Sequence, residues 1–153
     1  MLLDGVDHIA ILTKDAKRLC DWYGEIFDAE VEGVTSPPHG EGVSLTFLRL
    51  GPHTEFNVFQ IEGNEEAARQ TPMFGRGRID HFGLRASSLE NFELLRERLM
   101  ACGATDGFVT DFGPVLSVFF RDPEGLEGEV LVPNPDAKPG VTNPPGTPAA
   151  RYS

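Results

Sequence analysis

The chain has 153 residues, 40% of them hydrophobic, so it is long enough to bury the core of one domain without disulfides. Its 24 acidic against 13 basic residues give a formal net charge of −11, which repels phosphate backbones and anionic lipids. Nucleic acid and membranes are therefore poor candidates as partners. Asp4 and Asp7 interrupt the N-terminus, which has no basic flank, so neither a signal peptide nor a membrane span is predicted and the expected location is cytoplasmic. Cys20 and Cys102 fall in separate helical patterns and are predicted to be packed, unpaired thiols.

The first 62 residues predict one βαβββ module. A run of β-branched and aliphatic residues at 6–12 predicts a strand, and apolar residues at steps of three and four over 15–27 predict an amphipathic helix. Three further strands are predicted at 29–35, 43–50 and 54–61.

The same order of elements recurs in residues 78–132, after a polar connector at 63–77. The helix of this half is predicted to begin at Ser87 or Ser88, where Ser87 and Glu90 have the spacing of a capping box. Its strands are predicted at 78–85, 105–110, 115–121 and 126–132.

Similarity between the two halves indicates an internal duplication. The segment VDHIAIL aligns with IDHFGLR, which places His8 against His81, and an offset one residue smaller places Asn57 against Glu129. Two such modules gain a common core by pairing about a pseudo-twofold axis. The predicted fold class is therefore α+β, with two tandem βαβββ modules.

The last segment, 133–153, is rich in proline, glycine and small residues, which cannot build a helix or a central strand. We expect an extended C-terminal tail that lies along the body of the protein or along a partner subunit.

Two histidines and one glutamate form a candidate metal site. His8 and His81 occupy the same place in the two modules, and strand alternation turns each away from the helix layer if its aliphatic neighbours face that layer. Glu129 lies among apolar residues in the last strand, where a carboxylate needs a strong partner. Two imidazoles and a carboxylate suit a divalent ion such as iron, manganese, zinc, nickel or cobalt. The other histidines, His39 and His53, lie in loops and are predicted to be ordinary surface residues.

The segments VDHIAILTKD, WYGEIFDAEV, IDHFGLR and FFRDPEGLEGEVLV together resemble the vicinal oxygen chelate superfamily. That superfamily includes glyoxalase I, methylmalonyl-CoA epimerase, extradiol dioxygenases and metal-free bleomycin-resistance proteins. The resemblance covers residues 1–132 and implies a single domain whose paired modules form a cup-shaped, eight-stranded mixed sheet with the helices outside. It maps the metal ligands onto His8, His81 and Glu129, and the fourth ligand place onto Asn57.

The fourth place differs from the glyoxalase pattern, which has glutamate there, and from the epimerase pattern, which has glutamine. Asn57 is either a hydrogen-bonding residue of the cavity or a ligand, and Glu55 is an alternative on the same strand face. The set of two histidines and Glu129 is similar to that of the extradiol dioxygenases. Those enzymes have a tyrosine in the preceding strand, where this chain has Phe119 and Phe120.

The resemblance implies a metal-dependent enzyme whose small substrates chelate the ion through two vicinal oxygens. It also implies a homodimer. In glyoxalase- or epimerase-like chemistry Glu129 or Glu55 would move the proton, whereas in a dioxygenase Asn57 or His53 would assist oxygen chemistry. The alternative is a metal-free protein of the bleomycin-resistance type that binds a small molecule or drug.

Overall fold

Strand, helix and three strands follow one another twice in the computed structural model, which describes residues 2, 5–36, 42–69 and 79–141. The chain divides into two compact units, Met1–Gln70 and Thr71–Ser153. The boundary between them lies inside the connector predicted at 63–77. Each unit contains one module, so the predicted α+β class and the duplicated βαβββ order are confirmed.

Unit 1 contains a four-stranded mixed sheet and one long helix. The sheet has the order β1-β4-β3-β2, in which β1 is parallel to β4 and the other neighbours are antiparallel. A short 3-10 helix follows the last strand. The elements are β1 (His8–Thr13), α1 (Ala16–Phe27), β2 (Glu30–Thr35), β3 (Val43–Gly51), β4 (Thr54–Ile61) and the 3-10 helix Glu66–Ala68.

The start of α1 is fixed by Asp15, whose carboxylate accepts a hydrogen bond from the backbone N–H of Arg18. The buried face of the helix includes Leu19 and Tyr23, and Tyr23 makes an edge-to-face contact with Phe56 of β4 at 5.4 Å between ring centres. The amphipathic helix predicted at 15–27 is therefore present and packs on one face of its sheet.

Unit 2 repeats this architecture with a second four-stranded mixed sheet. Its order is β5-β8-β7-β6, again with the first strand parallel to the last and antiparallel pairs elsewhere. The eight strands are thus divided equally between two sheets, one in each unit. The elements are β5 (Phe82–Arg85), α2 (Leu89–Ala101), β6 (Val109–Asp111), β7 (Val115–Arg121) and β8 (Glu127–Pro133).

The beginning of α2 differs from the predicted capping box. Ser88 is the N-cap, and its hydroxyl accepts a hydrogen bond from the backbone N–H of Asn91. Ser87 instead accepts from the Asn91 side chain, so the predicted pairing of Ser87 with Glu90 is wrong. The helix starts one residue later than that pairing requires, which moves the third helical position from Glu90 to Asn91.

The remaining boundaries differ by a few residues. The strand predicted at 78–85 begins at Phe82 in the described part of the chain, while Arg78 lies outside it. The strand predicted at 105–110 is the shorter β6, Val109–Asp111. Strand ends of this kind depend on which backbone groups find a partner, and local sequence does not specify that.

The two cysteines differ in burial. Cys20 is buried and burial raises the pKa of its thiol to about 11, as expected for a packed residue. Cys102 is exposed at the end of α2, so its prediction as a packed residue is wrong. Both thiols are free.

The start of the C-terminal tail is attached to unit 2. The Asn134 side chain donates to the Asp111 carboxylate and to the carbonyl of Gly113, at 3.1 and 2.9 Å. Residues 142–153 lie outside the described residues, as does His39. None of the helices in the described ranges is long and apolar enough to cross a membrane.

Candidate metal centre

Each sheet has one face packed by its helix and a second face that points away from the helix. In β1 and β4, Ile11, Phe56 and Val58 are buried on the helix side. Because side chains alternate along a strand, His8 and Asn57 lie on the face that points away from the helix. The predicted orientation of His8 away from the helix layer is therefore found within unit 1.

The strand registers make Asn57 and Glu129 equivalent residues of the two modules. In unit 1 Asn57 pairs with Ala10, two residues after His8. In unit 2 Glu129 pairs with Gly83, two residues after His81. The alignment inferred from sequence is thus reproduced by the backbone pairing inside each sheet.

An arginine–glutamate pair occupies the same place in both modules. Arg49 pairs in register with Glu55, and an Nη atom lies 3.6 Å from the carboxylate. Arg121 pairs in register with Glu127, with an Nη–Oε distance of 2.9 Å, and the glutamate side chain is fully buried. Glu55 is therefore engaged by a cation on its own sheet.

Arg49 also makes a two-pronged contact with Glu32, through hydrogen bonds of 2.7 and 2.6 Å. The hydrogen bond from Arg49 holds the pKa of the Glu32 carboxyl below its usual value, and the pKa of Arg49 is raised in return. Arg49 lines a cleft of about 520 Å³ in unit 1, together with Asp7 and His53. The loop residue His53 thus borders the same end of the sheet as His8.

His81 is held by contacts on both sides of its ring. Its Nδ1 lies 2.8 Å from the carboxylate of Asp80, and its ring meets Phe119 edge-on at 5.7 Å between centres. A carboxylate only accepts hydrogen bonds, so a neutral imidazole in this contact has its proton on Nδ1 and its lone pair on Nε2. This carboxylate–histidine pair is the arrangement that commonly supports a metal-binding imidazole.

Glu129 is held with one oxygen satisfied and the other facing His81. The hydroxyl of Ser117 donates to Oε2 at 2.7 Å, and Oε1 lies 3.7 Å from Nε2 of His81. The glutamate side chain is only 14% exposed. Gly83 permits this placement, because a Cβ there would lie 3.4 Å from Oε1 and 2.8 Å from Leu131.

The distance between His81 and Glu129 fits a shared cation. At 3.7 Å the two atoms are too far apart for a hydrogen bond, yet closer than twice a typical metal–ligand distance of about 2.1 Å. An imidazole nitrogen and a carboxylate oxygen are also suitable ligands for iron, manganese, zinc, cobalt or nickel. The described residues contain no group of three or more histidine, cysteine or acidic side chains that could hold an ion. The candidate donors of unit 2 are His81 Nε2 and Glu129 Oε1.

Unit 1 has the matching histidine with a similar support. Nδ1 of His8 lies 2.9 Å from the carboxylate of Asp7, the residue before it, as Asp80 precedes His81. The His8 ring is 44% exposed. Asn57, which replaces the glutamate of unit 2, has a buried Oδ1 with no hydrogen-bond partner among the residues that the structure describes.

The chain matches the family model of the glyoxalase/bleomycin resistance protein/dioxygenase superfamily over residues 5–130. It belongs to this superfamily. The vicinal oxygen chelate resemblance drawn from the sequence motifs is thereby confirmed. No curated protein sequence is significantly similar to the chain.

Solved structures of the superfamily share the fold. A glyoxylase/bleomycin resistance protein/dioxygenase domain from Frankia sp. EAN1pec has a TM-score of 0.73 at 22% identity, covering 86% of this chain and 99% of that one. The fosfomycin resistance protein FosX from Listeria monocytogenes, complexed with Mn(II) and sulfate, has a TM-score of 0.61 at 16% identity, with 87% and 95% covered. A glyoxalase I mutant from Zea mays has a TM-score of 0.59 at 20% identity, and the match covers 82% of this chain but 44% of the maize chain.

The sequence predicted the candidate ligands His81 and Glu129, but not the residues that hydrogen-bond to them. Within unit 2 the structure brings His81 and Glu129 to within 3.7 Å of each other. The repeated aspartate before each histidine was visible in the sequence, and it was the one available signal for Asp80. Ser117 gave no such signal, because its contact with Glu129 depends on the pairing of β7 with β8.

Proposed function

We propose that the protein is a metal-dependent enzyme in which His8, His81 and Glu129 hold one divalent ion. The observation that best supports this is the 3.7 Å separation of His81 Nε2 and Glu129 Oε1, with each group held from behind by Asp80 or Ser117. His8 is proposed as the third ligand because it is the repeat equivalent of His81 and has the same aspartate support. This agrees with the family resemblance.

The substrate is proposed to be a small molecule with two neighbouring oxygen atoms. When bound, a divalent ion acts as a Lewis acid and stabilises negative charge that develops on such oxygens. Asp80 keeps the lone pair of His81 on Nε2, and the Phe119 ring shields one side of the imidazole from water. Asn57 offers a buried carbonyl oxygen for a hydroxyl or N–H group of the substrate.

A lyase or isomerase reaction of the glyoxalase or epimerase type fits these residues best. The aromatic residue paired with Glu129 is Phe119, which has no hydroxyl group, whereas the extradiol dioxygenases have a tyrosine in this strand. Glu129 or Glu55 is proposed to transfer the proton on the carbon beside the substrate carbonyl. Asn57 is proposed to orient the substrate. Glu55 lies 3.6 Å from Arg49, an ion pair that holds its carboxylate in place on the sheet.

Metal binding is the first experiment. Untagged protein is stripped with a chelator and titrated with MnCl₂, NiCl₂ and ZnCl₂ by calorimetry, alongside H8Q, H81Q and E129Q. The exposed residue Glu25 of α1 supplies the matched control E25Q. We expect one ion per chain, with affinity lowered at least about tenfold in each ligand variant and retained in E25Q. Wild-type protein that binds none of these ions would contradict the proposal and favour a metal-free, ligand-binding protein.

Substrate class is tested next on the metal-loaded protein. Hemithioacetals and α-carbonyl thioesters are screened for isomerisation or proton exchange without oxygen, and catechols are screened with an oxygen electrode. Turnover of the first group supports the lyase or isomerase type, whereas oxygen uptake with catechols would replace it by ring cleavage. The homodimer implied by the resemblance is checked on the same samples by light scattering.

A further inference from the structure

Ser117 lies in β7, an interior strand of the unit 2 sheet, where it is completely buried and contacts the proposed ligand Glu129. We infer that Ser117 is a positioning residue that fixes which oxygen of Glu129 is offered to the metal. The inference rests on the proposed function.

The geometry gives each carboxylate oxygen a separate task. The Ser117 hydroxyl donates to Oε2 at 2.7 Å, a short charge-assisted hydrogen bond in a buried setting. Oε1 is left on the side of His81, 3.7 Å from Nε2. The terminal torsion of a glutamate is broad, so without this donor the carboxylate would rotate among several orientations. The hydrogen bond therefore selects one orientation before an ion arrives.

The other module shows what happens at this place without a carboxylate. Ser117 pairs with Leu131 in unit 2, and the residue at the equivalent register position of unit 1 is Leu45, which pairs with Phe59. On the face away from the helix, unit 1 thus combines Leu45 with Asn57, whereas unit 2 combines Ser117 with Glu129 at the equivalent positions. The hydroxyl occurs in the module that has the carboxylate.

Burial of a serine at this position needs a compensating contact. A hydroxyl without a hydrogen bond destabilises a core, and a leucine such as Leu45 would fill the same place with apolar contacts. Ser117 is satisfied by Glu129, while Thr110, its cross-strand neighbour in β6, has a buried hydroxyl with no partner among the described residues. Thr110 is therefore a matched control: a fully buried hydroxyl on the same face that makes no bond to Glu129.

The test compares Mn²⁺ affinity in S117A, S117T and S117C with that in T110V, measured by calorimetry and by electron paramagnetic resonance of bound Mn²⁺. We expect S117A to weaken Mn²⁺ binding about 10- to 100-fold and to change the resonance spectrum, as loss of a residue that orients a ligand commonly does. S117T keeps the hydroxyl and should recover most of the affinity, S117C should be intermediate, and T110V should match the wild type. Thermal unfolding of the metal-free proteins separates a loss of stability from a loss of affinity.

A folded S117A that binds Mn²⁺ as tightly as the wild type overturns the inference, whatever its stability without metal. If S117A does not fold, S117C decides, and an affinity within about twofold of the wild type overturns it. Wild-type protein that binds no Mn²⁺ defeats the proposed function and this inference together. If the wild type binds Mn²⁺ and S117A binds it equally well, only this inference is contradicted.

Discussion

Asn57 and Glu129 are equivalent residues of the two modules, since each pairs with the residue two positions after its module's histidine. One is neutral and the other is a carboxylate, so the duplicated sheets have the same backbone pairing but different donor chemistry. The proposed ion consequently has its carboxylate ligand in unit 2, where a serine hydrogen bond supports that group.

The amide at position 57 is expected to serve binding rather than stability. Its Oδ1 is buried and has no partner among the described residues, and a buried acceptor left unsatisfied costs about 1–3 kcal/mol. N57L should therefore leave the free energy of unfolding unchanged or raise it by about 1 kcal/mol, while substrate turnover falls. Urea unfolding measures this, and a clear loss of stability would show that Asn57 has a structural role.

The aspartate before His81 is expected to control metal affinity. D80N removes the carboxylate that holds Nδ1 at 2.8 Å, so the imidazole loses its fixed tautomer and orientation. The dissociation constant for Mn²⁺ should rise about 10- to 100-fold, with D21N on the exposed side of α1 as the control. Equal affinity in D80N and D21N would contradict the assignment of Asp80 as a supporting residue.

Gly128 of β8 is expected to be intolerant of any side chain. A Cβ at this position would lie 2.5 Å from the ring of Phe120 and 2.9 Å from that of Phe82. G128A should lower the free energy of unfolding by about 1–3 kcal/mol, because the two packed rings would have to move. G33A in β2 is the control, since its Cβ would meet only Phe47 at an ordinary 3.8 Å. Similar unfolding midpoints for the two variants would argue against the close packing.

The Glu32–Arg49 pair is expected to make stability depend on pH. The hydrogen bond from Arg49 lowers the pKa of Glu32 in the folded protein. A lowered pKa stabilises the fold at pH values above the pKa of glutamate in the unfolded chain, which is about 4.3. This contribution is lost as the pH falls through the pKa of Glu32 in the folded protein. E32Q should therefore be less stable than the wild type at about pH 7, and the difference should shrink as the pH falls below about 4.3.

The exposed E25Q variant serves as the control for that pH series, measured by thermal unfolding. A difference between E32Q and the wild type that persists unchanged into acid would show that charge on Glu32 is not its cause.

The two thiols are expected to react at very different rates. Burial raises the pKa of Cys20 to about 11, while Cys102 is exposed. Because the thiolate is the reactive form, native protein at about pH 8 should titrate one thiol rapidly with a disulfide reagent and two after denaturation. C102S should remove the fast phase, and a fast phase that survives in C102S would contradict the burial of Cys20.

The sequence alone determined the two modules, the family and the faces on which His8 and Asn57 lie. These features follow from local patterns: the helical period of α1, the alternation of strand residues, and the turn residues between them. The repeat alignment also predicted the equivalence of Asn57 and Glu129, because duplicated strands keep the same pairing.

Only the tertiary structure decided which side chains support the proposed ligands. The hydrogen bond from Ser117 to Glu129 joins residues twelve positions apart through the register of β7 and β8, and the cap of α2 at Ser88 depends on where the backbone first becomes helical. Strand register and helix ends are fixed by the balance of many backbone contacts along the chain, whereas side-chain alternation is fixed by the local geometry of each residue.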